Sequence, residues 1–245
     1  MRSSVPIPGN PWPHDMVIAV DDDPHQLVEL LWMREAWGLE GILEPGALEP
    51  GILEPGALRP GPLEPGAPDA PPRLADPPER PAGADLPPAH VRERAADAWA
   101  GMWADALGHA GAIRDPGIFA ALGDTADGSP ERRSLLASLV GPSWRDELGE
   151  AVPDLGPAFQ AWNHRAFERR VTRTVPAYDE APEYRALVVL IQAWRAGLTK
   201  IVTIPCVGEF TRRIGEHVLL MTDATRQDPD RYFDALGRFD ALAAS

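Results

Sequence analysis

The chain has 245 residues and a formal net charge of −14. With 44% hydrophobic residues and eight tryptophans, it carries enough apolar material for one sizeable core. Its one cysteine, Cys206, excludes an internal disulfide, and its one lysine, Lys200, is the only side chain that could serve as a Schiff-base or phosphate-cradling amine. Residues 1–40 carry 2 basic and 7 acidic side chains and residues 41–88 carry 3 and 8, leaving residues 89–245 near balance at −4. A general polyanion binder needs a basic field that this distribution lacks.

Residues 1–13 read as a flexible N-terminus with one arginine and no apolar run of signal-peptide length. The longest apolar runs, Leu187 to Ile191 and Val218 to Met221, are too short to span a bilayer. A soluble cytoplasmic protein without a membrane partner is the expectation. Residues 14–40 form the first element. Met16 to Val20 reads as a short strand, and Asp23-Pro24 with Gln26 as a helix start, the helix running to Trp37 and stopping at Gly38. With Leu27, Leu30, Leu31, Trp32 and Trp37, that helix is too apolar to stand alone and is expected to dock on the main body.

Residues 41–65 are five pentapeptides in register, GILEP, GALEP, GILEP, GALRP and GPLEP, and the pattern decays up to Pro88. Fourteen of the 28 prolines lie in 41–88. Proline at every fifth position removes amide donors and fixes φ, so no helix or ladder strand propagates through it. The segment reads as a disordered low-complexity linker without a core of its own, or as a ligand for a proline-recognising partner.

Residues 89–245 read as the main helical α+β body. Val91, Ala95, Ala98, Trp99, Met102, Trp103 and Ala106 mark one face of a helix over 89–107. Shorter helices are predicted over 116–122, 131–140 and 143–149, and another over 157–174. Residues 182–196, apolar almost all round, read as a central buried helix ending at Gly197. Lys200 to Ile204 is β-branched, and 210–213 with 217–222 read as a hairpin about Gly215, with a βαβ unit as the alternative. Asp228-Pro229 starts a last helix. The fold class is therefore α+β, a mostly helical single domain with a small C-terminal β-hairpin or sheet and a disordered Pro/Gly-rich insertion.

No phosphate-binding loop, dinucleotide fingerprint, H-E-x-x-H, C-x-x-C or G-x-S-x-G occurs, and Asp124 to Ser134 lacks the ligand positions of an EF-hand. No cofactor or metal is therefore expected. Asp21 to Asp23 reads as a helix cap with solvated acids, with metal-binding carboxylates at a strand end as the sharper alternative. Cys206 reads as a small core residue, with a nucleophile paired to His217 as the sharper alternative. The tryptophans at 32, 37, 99, 103, 162 and 194 read as packing.

Two constellations remain. Arg165, Arg169 and Arg173 fall at i, i+4 and i+8 on one helix, beside His164 and Arg170, with Glu168 the only acid between 164 and 173. Such guanidinium groups repel one another, so the stripe suits an anion, an acidic protein surface, or the chain's own surplus acid. Glu209, Arg212, His217 and Asp223, with Arg213 and Glu216, could instead supply an acid, a base and an oxyanion-stabilising arginine beside the hairpin, or simply cross-strand ion pairs. The leading expectation is a non-enzymatic interaction or accessory protein whose partner is another protein. A metal-independent hydrolase or transferase beside the hairpin is the alternative, and a nucleic-acid accessory factor using the stripe the third.

Overall fold

The computed structural model describes residues 11–39, 71–79, 86–113, 115, 117–149, 152, 155–172 and 177–241. These residues are mostly helical, with a four-stranded sheet toward the C-terminus. They divide into two compact units. A helical unit comprises His25–Ala70 and Glu79–Asp154, and a sheet unit comprises Met1–Pro24, Pro71–Pro78 and Leu155–Ser245. The division cuts the stretch 89–245 read as one body, and it separates the strand of 14–40 from its helix. The pentapeptide repeats lie outside the described residues.

In the helical unit, α1 (His25–Ala36) is buried over most of its length. It packs on α2 (Ala89–Gly111), whose buried residues Val91, Ala95, Trp99, Met102, Trp103 and Ala106 follow the expected face. Trp99 stacks on Trp103 with ring centroids 5.3 Å apart, and its indole N–H donates to the Leu30 carbonyl at 3.1 Å. Burying one such ring stabilises by about 4–6 kcal/mol as an upper figure. The short helices α3 (Ile118–Asp124), α4 (Pro130–Val140) and α5 (Trp144–Leu148) lie within two residues of the predicted ones. Ser129 caps α4 by accepting from the Arg132 amide at 3.1 Å, and Pro130 opens the helix where its missing N–H costs nothing. Arg132 reaches back to the Leu122 carbonyl at 2.6 Å and so closes α3. Ser143 and Asp146 form a capping box on α5.

In the sheet unit, β1 (Ala19–Asp21), β2 (Lys200–Ile204), β3 (Thr211–Ile214) and β4 (Val218–Thr222) lie in the order β1-β2-β4-β3. The β3–β4 hairpin is antiparallel as expected, with Arg212 opposite Leu220. β3 stands in the connection from β2 to β4, and the parallel pairing of those two, Ile204 opposite Thr222, is one the sequence reading did not assign. Its physical signature is composition. All five residues of β4 and four of five in β2 are buried, so both strands are apolar without alternation, as strands covered on two faces are. β1 is shorter than the predicted 16–20 and shifted to Ala19–Asp21, and it lies at the sheet's edge with Val20 exposed.

The sheet unit also holds α6 (Gly156–Thr172), α7 (Pro182–Arg185), α8 (Leu187–Arg195), α9 (Asp223–Gln227) and α10 (Pro229–Gly237). The central helix predicted over 182–196 breaks at Ala186 into α7 and α8, and Val188 is 71% exposed, so it is not buried all round. Its inner face, Val189, Leu190 and Ala193, joins Leu198, Ile201, Leu219 and Met221 of the sheet region and Tyr232, Leu236 and Phe239 in one core. Asp228 caps α10 by accepting from the Asp230 and Arg231 amides, each at 3.1 Å.

Candidate peptide-docking groove

Beyond the end of β2 the chain turns through Pro205, Cys206 and Val207 into a loop that is fixed from below. Thr222 and Thr225, both fully buried, share a hydrogen bond of 2.8 Å. Thr222 also donates to the Gly208 carbonyl at 2.8 Å, and the Phe210 amide donates to Thr225 at 3.2 Å. Gly208, at φ 77°, makes the reversal that an L side chain resists. Held this way, the loop presents the Pro205 carbonyl and the Val207 amide along one edge.

Residues 71–79 lie on that edge. The Ala75 amide donates to the Pro205 carbonyl at 2.9 Å, and the Val207 amide donates to the Arg73 carbonyl at 2.9 Å. Leu74 thereby stands opposite Cys206 as an antiparallel bridge of the type without hydrogen bonds between the paired residues, where side chains approach most closely. Both are buried, Leu74 at 3% exposure and Cys206 at 1%. This part of 41–88, read as a linker without a core of its own, lends its leucine to the core of the sheet unit. A single leucine among prolines has no periodicity to announce it.

Helix α6 supplies the other wall. Trp162 is 2% exposed and stacked on Phe159, with ring centroids 6.2 Å apart. A buried indole N–H requires an acceptor, and the Asp76 carbonyl provides it at 2.8 Å. Arg169 lies two turns further along the same face and meets the Asp76 carboxylate at 2.6 Å. Both side chains are about half exposed, so the pair stabilises by about 0–1 kcal/mol and guides more than it holds. Arg165 lies on the same exposed helix, and Arg173 lies outside the described residues. The stripe is thus used, at Arg169, by an acid of the chain itself.

The polar residues beside the hairpin do not converge. β4 runs between His217 and Asp223, which at about 3.3 Å per residue sets them roughly 20 Å apart at opposite ends of the strand. His217 shares a 2.8 Å hydrogen bond between Nδ1 and the Gly197 carbonyl, and its own carbonyl accepts from the Thr199 amide at 2.9 Å, so it shapes the turn into β2. Cys206 follows the far end of β2 and does not meet His217. Glu209 pairs with Arg238 at 3.4 Å and Arg231 at 3.9 Å, Arg212 sits on edge strand β3, and Asp223 opens α9. Arg213 lies over the Phe239 ring at 4.2 Å and donates to the Phe239 carbonyl at 3.2 Å. Asp21 pairs with Lys200 at 2.9 Å.

One further cluster, spaced too widely to read in sequence, borders a cavity of about 440 Å³ in the sheet unit. There the Glu183 Oε1 accepts from Arg226 Nε at 2.9 Å and from the Tyr232 hydroxyl at 3.3 Å. Burial, and then the Glu183 carboxylate, hold the Tyr232 phenol far above its ordinary pKa. The acid, the guanidinium and the phenol satisfy one another, and together they tie α7 to α9 and α10. Among the described residues no group of three or more His, Cys, Asp or Glu is placed to hold a metal ion, and no helix is long and apolar enough to cross a membrane.

No protein-family model matches this chain, and neither a curated protein nor a solved structure does.

Proposed function

We propose that this chain is a non-enzymatic interaction or accessory protein of a reducing compartment such as the cytoplasm, and that it captures other proteins by their extended segments. One observation carries the reading: a stretch without helix or ladder strand of its own is seated on Pro205–Val207 and α6 through two main-chain hydrogen bonds, an indole donor and one buried leucine. Strand addition with a side-chain pocket is a recurrent mode of peptide recognition, in which main-chain bonds give affinity and alternate side chains give specificity.

The test is selection of random nine-residue peptides displayed on phage against the full chain. Enriched sequences are expected to bind the full chain and to lose affinity when Val207→Pro deletes the amide that reaches Arg73, or when Arg169→Glu reverses the charge beside Asp76. Enrichment that survives both substitutions refutes the reading, as does a selection that yields nothing.

A further inference from the structure

Resting on that reading, we infer the chemistry of the partner: an extended segment flanked by prolines, with a leucine-sized apolar residue followed two positions later by an acid. Residues 71–78 occupy the site as a competitor carried in the same chain.

Three observations set the rule. First, the segment's main chain is held by the Pro205 carbonyl, the Val207 amide and the Trp162 indole N–H, none of which reads a side chain. Second, side-chain selection falls on two residues. Leu74 is buried, and the chain bends at Ala75 and Asp76 so that Asp76, itself exposed, meets Arg169, whereas Arg73 and Ala75 are exposed. A leucine there fills the space beside Cys206, and an acid two residues on lies at Arg169 with its carbonyl over the Trp162 indole. Third, Pro71, Pro72, Pro77 and Pro78 bracket the contact. Their fixed φ leaves less backbone freedom to lose when the segment is seated. Proline at any of these four positions sacrifices nothing, because the amides that bond are those of Ala75 and Val207.

The consequence is competition. A segment carried in the same chain competes intramolecularly, so a partner meets an occupied site and an apparent affinity reduced by the fraction that stands open. The half-exposed ion pair at Asp76 makes this occupant replaceable by a stronger one.

The experiment is fluorescence anisotropy with a labelled peptide of the sequence of residues 71–79, titrated with the full wild-type chain, a full chain carrying Leu74→Asp, and a full chain carrying Asp76→Arg. The third loosens the internal segment without touching a buried side chain. Both variants are expected to bind the peptide more tightly than the wild type, by at least about 10-fold for Leu74→Asp and several-fold for Asp76→Arg. A peptide with aspartate in place of its leucine is expected to bind none of them. Equal affinity for the wild type and Asp76→Arg chains overturns the competitor while leaving the groove a binding site. Indifference to the leucine overturns the recognition rule. Absence of binding to all three folded chains overturns the interaction reading itself.

Discussion

Replacing Leu74 by alanine probes the docked segment most directly, because Leu74 is the only residue of 71–79 whose side chain is both large and apolar, and it is 3% exposed. Leucine-to-alanine changes in cores cost about 2–5 kcal/mol, with the lower figures where surroundings can close over the void. A segment lying on an edge can shift inward, so the lower range of about 2–3 kcal/mol applies here, a factor of roughly 30 to 150 in the ratio of docked to released segment. The readout is amide hydrogen exchange at Ala75 and Val207, two main-chain donors whose bonds join the segment to the loop after β2. Their protection is expected to fall by that factor. The amides of Leu219, Leu220 and Met221, inside the sheet, are expected to keep theirs, and the melting temperature is expected to move little. Unchanged protection at Ala75 and Val207 would show that Leu74 does not hold the segment. Loss spread evenly over β2 and β4 would refute the reasoning differently, by making the segment part of the cooperative core.

Gly141, at φ 79°, sits where an added Cβ would lie 2.5 Å from the His109 ring, so Gly141→Ala is expected to lower the helical unit's stability by about 2–4 kcal/mol in thermal melts. Adding His109→Ala is expected to recover the steric part of that loss but not the backbone part. The Tyr232 phenol gives a pH dependence. An unfolded chain releases the tyrosine proton near pH 10, whereas burial and Glu183 keep it bound in the folded chain, so stability is level below about pH 10 and falls above it by up to about 1.4 kcal/mol per pH unit. Denaturant midpoints between pH 9 and 11 are expected to show a shallower decline in Tyr232→Phe than in the wild type; equal slopes would refute the assignment.

What could be read from sequence was what depends on neighbours within a turn or two. The faces of α2, the Asp228-Pro229 start, the β-branched run of β2 and the hairpin about Gly215 are set by local spacing and capping chemistry. What could not be read depends on partners far along the chain. Trp162 reads correctly as packing, but its acceptor, the Asp76 carbonyl, is 86 residues away. Glu183 meets Arg226 and Tyr232 across 43 and 49 residues. The hairpin residues gathered by sequence proximity were separated by the strand itself, since the length of β4 sets His217 and Asp223 at its opposite ends. The arginine stripe was visible as a pattern, and only the fold could show that an acid among prolines meets it.

The pairing of β1 with β2 also sets an order of events during synthesis. Ala19 lies opposite Lys200, so β1 leaves the ribosome about 180 residues ahead of the strand it will join, a wait of roughly 10 to 35 seconds at cellular elongation rates. The whole of the helical unit is made within that interval, because its residues lie between the two strands in the chain. Through that time β1 has no sheet to enter, and the Asp21 carboxylate waits for Lys200, the partner it meets across the same strand pair.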